Sequence, residues 1–159
     1  MLRLVIFGLI IGLFFACKKT EEFPVVPEIE LKDFKKMDSV VDGLNKSFIK
    51  FTIGFKDGDG DIGLKKEETS APYDVNLIFK EYIRTMGVFL ISPRDSGDDY
   101  RVPYLTPAGS NKNISGEVSV DYALIPGLLD TAYFEIFILD RALHKSNVVR
   151  TPEIIIDTR

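Results

Sequence analysis

From residue 29 onward, apolar positions fall at every second place or in short runs, with turn-forming residues between them. Ile29-Glu30-Leu31 alternates, and Ser47 to Phe55 is dense in aromatic and β-branched residues, the side chains that suit a pleated, half-buried surface. Val75 to Ile83 and Gly87 to Ile91 repeat the pattern, and Arg84-Thr85-Met86 between them reads as a hairpin connection. Ile114 to Tyr122, Ala132 to Asp140 and Val148 to Ile156 complete a set of seven predicted strands. Asp33 to Asn45 is polar enough to read as a loop, in which Val40, Val41 and Leu44 fit one short turn of helix at most. No stretch carries a 3.6-residue apolar stripe between helix caps.

Several short strands with turns at regular intervals predict an all-β fold, and their number and spacing predict a single immunoglobulin/fibronectin-like antiparallel β-sandwich over residues 29–159. The N-terminus does not belong to it. Met1-Leu2-Arg3 is a short positive region, followed at 4–16 by an unbroken run of apolar residues and glycine. That run is shorter than the ~20 residues a membrane-spanning helix needs and matches the roughly 7–15 of a signal-peptide apolar region. Phe14-Phe15-Ala16-Cys17 then sets the one Cys directly after a small residue.

In this respect the chain resembles a bacterial lipoprotein, although Phe14 stands where Leu or Val is commonest. The resemblance implies a signal peptide over 1–16, cleavage before Cys17 and acyl chains on its sulfur and amino group. Two or more acyl chains hold a protein stably on a membrane where one does not. A free thiol behind an ordinary signal peptide is the alternative. Lys18-Lys19-Thr20-Glu21-Glu22 has Lys, not Asp, after the cysteine, which in the enteric sorting rule permits transit to the outer membrane. The same stretch is similar to the surface-export signal of Bacteroidota lipoproteins. Pro24 and Pro27 stiffen the rest of a tether spanning 17–28.

Charge and composition narrow the function classes. Twenty basic and 24 acidic side chains give a net charge of −4. Loss of the signal peptide removes only Arg3 from that balance, so no clustered basic surface for nucleic acid is expected. One Cys and one His exclude an internal disulfide framework, a zinc-finger cluster and a multi-histidine metal site.

The most specific motif is Asp57-Gly58-Asp59-Gly60-Asp61-Ile62-Gly63, placed directly after a predicted strand. Calcium takes six to eight oxygen ligands, and a segment must curl tightly to present several of them. Two carboxylates about 5 Å apart repel by roughly 3 kcal/mol at an effective dielectric of about 20. Set against an EF-hand loop, Asp57, Asp59 and Asp61 fill positions 1, 3 and 5, and Glu68 falls at position 12. Position 6, normally Gly, is Ile62, and flanking helices are not predicted. The reading is therefore an Asp-rich calcium loop on a β-scaffold, with magnesium less suited to an all-protein cage. An acidic turn kept for solubility is the alternative.

A second polar cluster, Asp140-Arg141-Ala142-Leu143-His144-Lys145-Ser146-Asn147, connects the last two predicted strands. In a fibronectin-type sandwich this connection and the one after the second strand lie at the same end. Asp140 is thus a candidate further ligand, and Arg141 a candidate partner for the carboxylates; an ordinary polar loop is the alternative. The lipoprotein cysteine, the acidic loop and Asp140-Arg141-Ala142 with Ser146-Asn147 together resemble small outer-membrane lipoproteins of Bacteroidota. That resemblance supplies no catalytic activity to carry over.

Catalysis has little to work with: His144 is the single His, beside Lys145 in a loop, and no nucleophile-elbow motif is present. The expected function is that of a lipid-anchored outer-membrane or surface lipoprotein, calcium-binding, with a non-catalytic structural or protein-interaction role. Its expected partners are the membrane, through the lipid on Cys17, and another outer-membrane or surface protein. A glycan- or ligand-binding module is the alternative, with Tyr73, Tyr100 and Tyr104 as candidate stacking rings.

Overall fold

Ile49, Phe51, Ile53 and Phe55 occupy every second position of one strand and are all buried, while Lys50 between them is exposed. That period of two puts one face of the strand on a core. A computed structural model describes residues 22–41, 43–93, 99–105, 107, 112–124 and 131–155. The proposed signal peptide, Cys17 and tether residues 18–21 lie outside the described residues. Within them the chain is all-β, with antiparallel sheets packed against each other as in a β-sandwich.

The strands are β1 (Glu28–Val41), β2 (Leu44–Asp57), β3 (Leu77–Thr85), β4 (Val88–Ile91), β5 (Ile114–Ala123), β6 (Thr131–Ile138), β7 (Val149–Arg150) and β8 (Ile154–Ile155). One sheet has the order β1-β2-β5 and the other β4-β3-β6-β7, with β8 also pairing with β6. The last predicted strand is thus divided into two short pieces. The β3–β4 turn lies at Met86-Gly87, both with positive φ (52° and 82°), slightly later than the sequence suggested. Left-handed residues of this kind match the twist of a two-residue hairpin.

The polar stretch from Asp33 to Asn45 is not a loop. β1 pairs with β2 along its whole length, from Glu28↔Lys56 to Val41↔Leu44, and closes through Gly43 at φ 77°. Pairing satisfies the main-chain polar groups that face β2, and Ser47 donates to Asp38 at 2.6 Å across the ladder. The second sheet does not bury this part of the hairpin, so Lys35, Met37, Asp38 and Val40 remain exposed. Polarity here reports solvent on the strand, not the absence of a strand.

Aromatic rings join the two layers. Phe51 of β2 lies 5.3 Å from Phe79 of β3 and 5.1 Å from Phe134 of β6, centroid to centroid. Tyr122 of β5 meets Phe134 edge-on at 4.7 Å. β6 reads as an almost continuous apolar run because both of its faces are covered. Ala132, Phe134, Ile136 and Ile138 face the core, while outward Tyr133 stacks on Tyr82 at 4.7 Å and lies under the Arg150 guanidinium at 3.7 Å.

Side-chain amides bind the loops to this frame. Asn147 pairs with Ile29 as a neighbouring strand would, accepting from its N–H and donating to its carbonyl, both at 2.8 Å. Buried Asn76 accepts from the Val102 N–H at 2.8 Å and donates to the Leu139 carbonyl at 3.5 Å. The C-terminal end of β2, the start of β3, the start of β5 and the end of β6 therefore gather at one end, with the tether. The β1–β2 and β3–β4 hairpins lie at the other.

Truncation of Phe51 removes the ring shared by both sheets. Phe51→Ala should cost about 3–5 kcal/mol, measured as a lower urea midpoint with an unchanged slope.

Candidate metal centre

Strand alternation delivers the first carboxylate of the acidic loop. Phe51, Ile53 and Phe55 point into the core, and Asp57, two residues further along β2, follows them and is 0% exposed. The chain then turns through Gly58, Asp59, Gly60 and Asp61. Asp57 holds the turn by accepting from the Asp61 N–H through Oδ2 at 2.8 Å. Gly60 and Gly63 have φ of 70° and 94°, and the Lys112 and Pro103 carbonyls press against the places where a Cβ would stand. Both the backbone conformation and the lack of space require glycine there.

Asp61 is half-buried; its Oδ2 accepts from the Ala142 N–H at 3.2 Å, and its carbonyl accepts from the Arg141 N–H at 3.2 Å. Asp59 is exposed. One carboxylate oxygen from each of Asp57, Asp59 and Asp61 can be chosen so that all lie within 4.8 Å of one another. Oxygens at 2.3–2.6 Å from one calcium ion are no further apart than about 5 Å. Asp57 Oδ1 and Asp61 Oδ1 are buried without a hydrogen-bond partner. A solvent-inaccessible carboxylate oxygen with no donor is a costly arrangement, and two of them belong to one cluster.

The electrostatics agree with this geometry. Burial pushes the Asp57 carboxyl up to about 6, reinforced by the charges of Asp59 and Asp61 and opposed by the hydrogen bond from the Asp61 N–H. Asp61 is also raised, by burial first and then by Asp140 and Asp59, against the pull of Arg141.

The corner after β6 meets the acidic loop, as the predicted arrangement of ends requires, but its side chains act differently from expectation. Asp140 is 1% exposed, and its two oxygens bond the His144 N–H at 2.7 Å and the His144 Nδ1 at 2.9 Å. Its charge reaches Asp61, yet it lies outside the three-carboxylate group and its oxygens shape the corner. Arg141 does not pair with the carboxylates. Its guanidinium donates to the Ile62 and Gly63 carbonyls at 3.4 and 3.0 Å and lies 4.5 Å from the Tyr104 ring centroid. Glu68 accepts from the Lys65 N–H at 2.6 Å within its own turn and is likewise outside the group. The chain leaves the EF-hand path after Asp61.

Arg101 carries no signal in the sequence, yet it organises the loop after the cluster, donating to the carbonyls of Lys65, Glu68, Tyr73 and Asp74. The Ser146 hydroxyl accepts from the Ile138 N–H and donates to the Asn147 carbonyl. Of the candidate stacking rings, Tyr100 meets Phe79 edge-on at 5.3 Å, Tyr73 is half-buried, and Tyr104 is 44% exposed. Compared with known proteins, the chain matches no family model, no curated protein and no solved structure.

A carboxyl with a folded-state pKa of about 6, against about 3.9 unfolded, holds its proton more tightly when folded. Its contribution is therefore most favourable below about pH 4 and is lost as pH rises through 6. In chelator, the melting temperature should carry a component that falls between these values, and Asp57→Asn should remove it. A variant whose pH profile matches the parent would show that Asp57 is not the group responsible.

Proposed function

We propose that this chain is a lipid-anchored outer-membrane protein, held by acyl chains on Cys17, with a calcium site formed by Asp57, Asp59 and Asp61. Its role is structural or protein-binding, not catalytic. The observation that carries the ion reading is the pair of buried carboxylate oxygens without donors, Asp57 Oδ1 and Asp61 Oδ1, in a cluster narrow enough for one ion. A divalent cation offsets their desolvation and the repulsion among the three acids. The donors are hard oxygens, which suit calcium, and waters with loop carbonyls can complete its shell.

The strand order β1-β2-β5 against β4-β3-β6-β7 supports an immunoglobulin- or fibronectin-like sandwich. The protein-binding role draws support from the hairpin end, where Val40, Met86, Val88 and Leu90 are 67%, 101%, 60% and 53% exposed. Apolar side chains gathered at the end away from the tether suit contact with another outer-membrane or surface protein. Glycan binding is the second reading. Its support is the open ring of Tyr104 beside a hollow of about 630 Å³ that Lys66 and Asp74 also line.

At free calcium of about 100 times the dissociation constant, binding adds roughly 2.7 kcal/mol, so the melting temperature should rise by several degrees relative to EDTA. Magnesium should do much less, and Asp59→Asn combined with Asp61→Asn should abolish the rise. An unchanged melting temperature in millimolar calcium would reduce the acidic loop to a turn. For the anchor, Cys17→Ala should move the protein from the outer-membrane fraction to the soluble one on cell fractionation.

A further inference from the structure

The tether and the acidic loop touch at a place where neither can move alone. Gly58, between the first two aspartates, donates its N–H to the Pro24 carbonyl at 2.9 Å. A Cβ on Gly58 would collide with the carbonyl oxygens of Phe23 and Pro24, so the tether backbone lies directly on the loop backbone. Lys56 Nζ stands 5.0 Å from the Phe23 ring centroid, and Pro27 is buried just before β1. The tether is therefore laid along the loop before it enters the sheet.

We infer that the acidic loop is an ion-controlled latch for the tether: a cation held by Asp57, Asp59 and Asp61 fixes the Gly58 N–H towards Pro24, and its loss releases residues 23–27. This rests on the ion-site and anchor readings above; beyond the clustering of acids, the observation that points to a ligand is Asp57 Oδ1, buried without a hydrogen-bond partner on a fully buried side chain. Without the cation, repulsion among the three carboxylates opens the turn that carries the Gly58 N–H. The coupling is reciprocal, so a docked tether also tightens ion binding. Release of residues 23–27 adds up to about 17 Å of reach between the sheet and residue 22, at roughly 3.4 Å per extended residue. Occupancy of the ion site thereby sets how closely, and in what orientation, the domain is held to its anchor.

The chain has no Trp, so Phe23→Trp places a single reporter in the latch. With the full-length acylated protein in detergent, calcium should protect this Trp from iodide quenching, with the same midpoint as the rise in melting temperature. Gly58→Ala in that background should remove the protection and weaken calcium binding by about fivefold or more. In the same background, Asp59→Asn with Asp61→Asn should abolish both signals. A rise in melting temperature with no change in quenching would overturn the latch and leave the ion site intact. If neither signal responds to calcium, the ion-site reading itself fails, and the latch with it.

Discussion

The loop end of the sandwich depends on one constraint: strand alternation carries the Asp57 carboxylate into the interior. Phe51, Ile53 and Phe55 must face the core for the two sheets to join, and Asp57, on the same face of the same strand, has no other direction to take. The group's burial costs several kcal/mol if it stays charged and unpaired. The surrounding chain compensates for only part of it, through the Asp61 N–H on Oδ2 and the lesser pull of the Ile62 N–H. The rest of that end is arranged around the remaining oxygen, with Asp59 and Asp61 beside it and the corner after β6 closing on Asp61. Donors that would have neutralised the cluster are directed elsewhere, since Arg141 bonds carbonyls and His144 bonds Asp140.

The parts of this arrangement that were legible in the sequence are those governed by local periodicity. Alternation in β2 and β5, the apolar run of β6 and the Asp-Gly repeat each carry their own signal within a few residues. The meeting of the acidic loop with Asp140 and Arg141 followed from strand count and the assumed topology, and the Arg141 N–H on the Asp61 carbonyl is that meeting. What was illegible depends on partners far away in sequence. The stretch 33–40 reads as loop because most of its side chains meet water, although each of its residues is paired with β2. The role of Arg101 is set by carbonyls 27–36 residues away, which no window around Arg101 contains. Glu68 matched a position in a familiar loop pattern, but Ile62 in place of Gly sends the chain on another path, and its carboxylate serves its own turn.

The acidic cluster lies at one end of the molecule, and several of the most exposed apolar side chains lie at the other. The acidic loop, the Asp140–His144 corner and the tether share one end, whereas Val40, Met86, Val88 and Leu90 are exposed at the other. With the proposed lipid anchor, a tether at the acidic end would turn the hairpins away from the point of attachment. An edge strand as apolar as β4, Val88-Phe89-Leu90-Ile91, is ordinarily blunted by charge or proline. Its outer-face ring Phe89 is partly covered by Tyr133 and the Arg84 guanidinium, but Val88 and Leu90 lie on the other face and are open. Exposure of this kind suits a surface that is covered when the domain is in place.

The proposed ion site would be useful to a domain of this design for a mechanical reason. A tether attached at a single covalent point leaves orientation free unless backbone order continues from the anchor into the sheet. Among the described residues before β1, Pro24 bonds Gly58 inside the acidic loop, Pro27 is buried, and Asn147 bonds Ile29 at the start of the strand. Stiffness at Gly58 thus bears on how residues 23–27 are held against the domain. Glycine is the residue least able to supply that stiffness from its own backbone, and it is required here because any side chain would displace the tether. The loop must therefore gain its rigidity from outside the backbone, and three carboxylates aimed at one point are a means of doing so with a single cation.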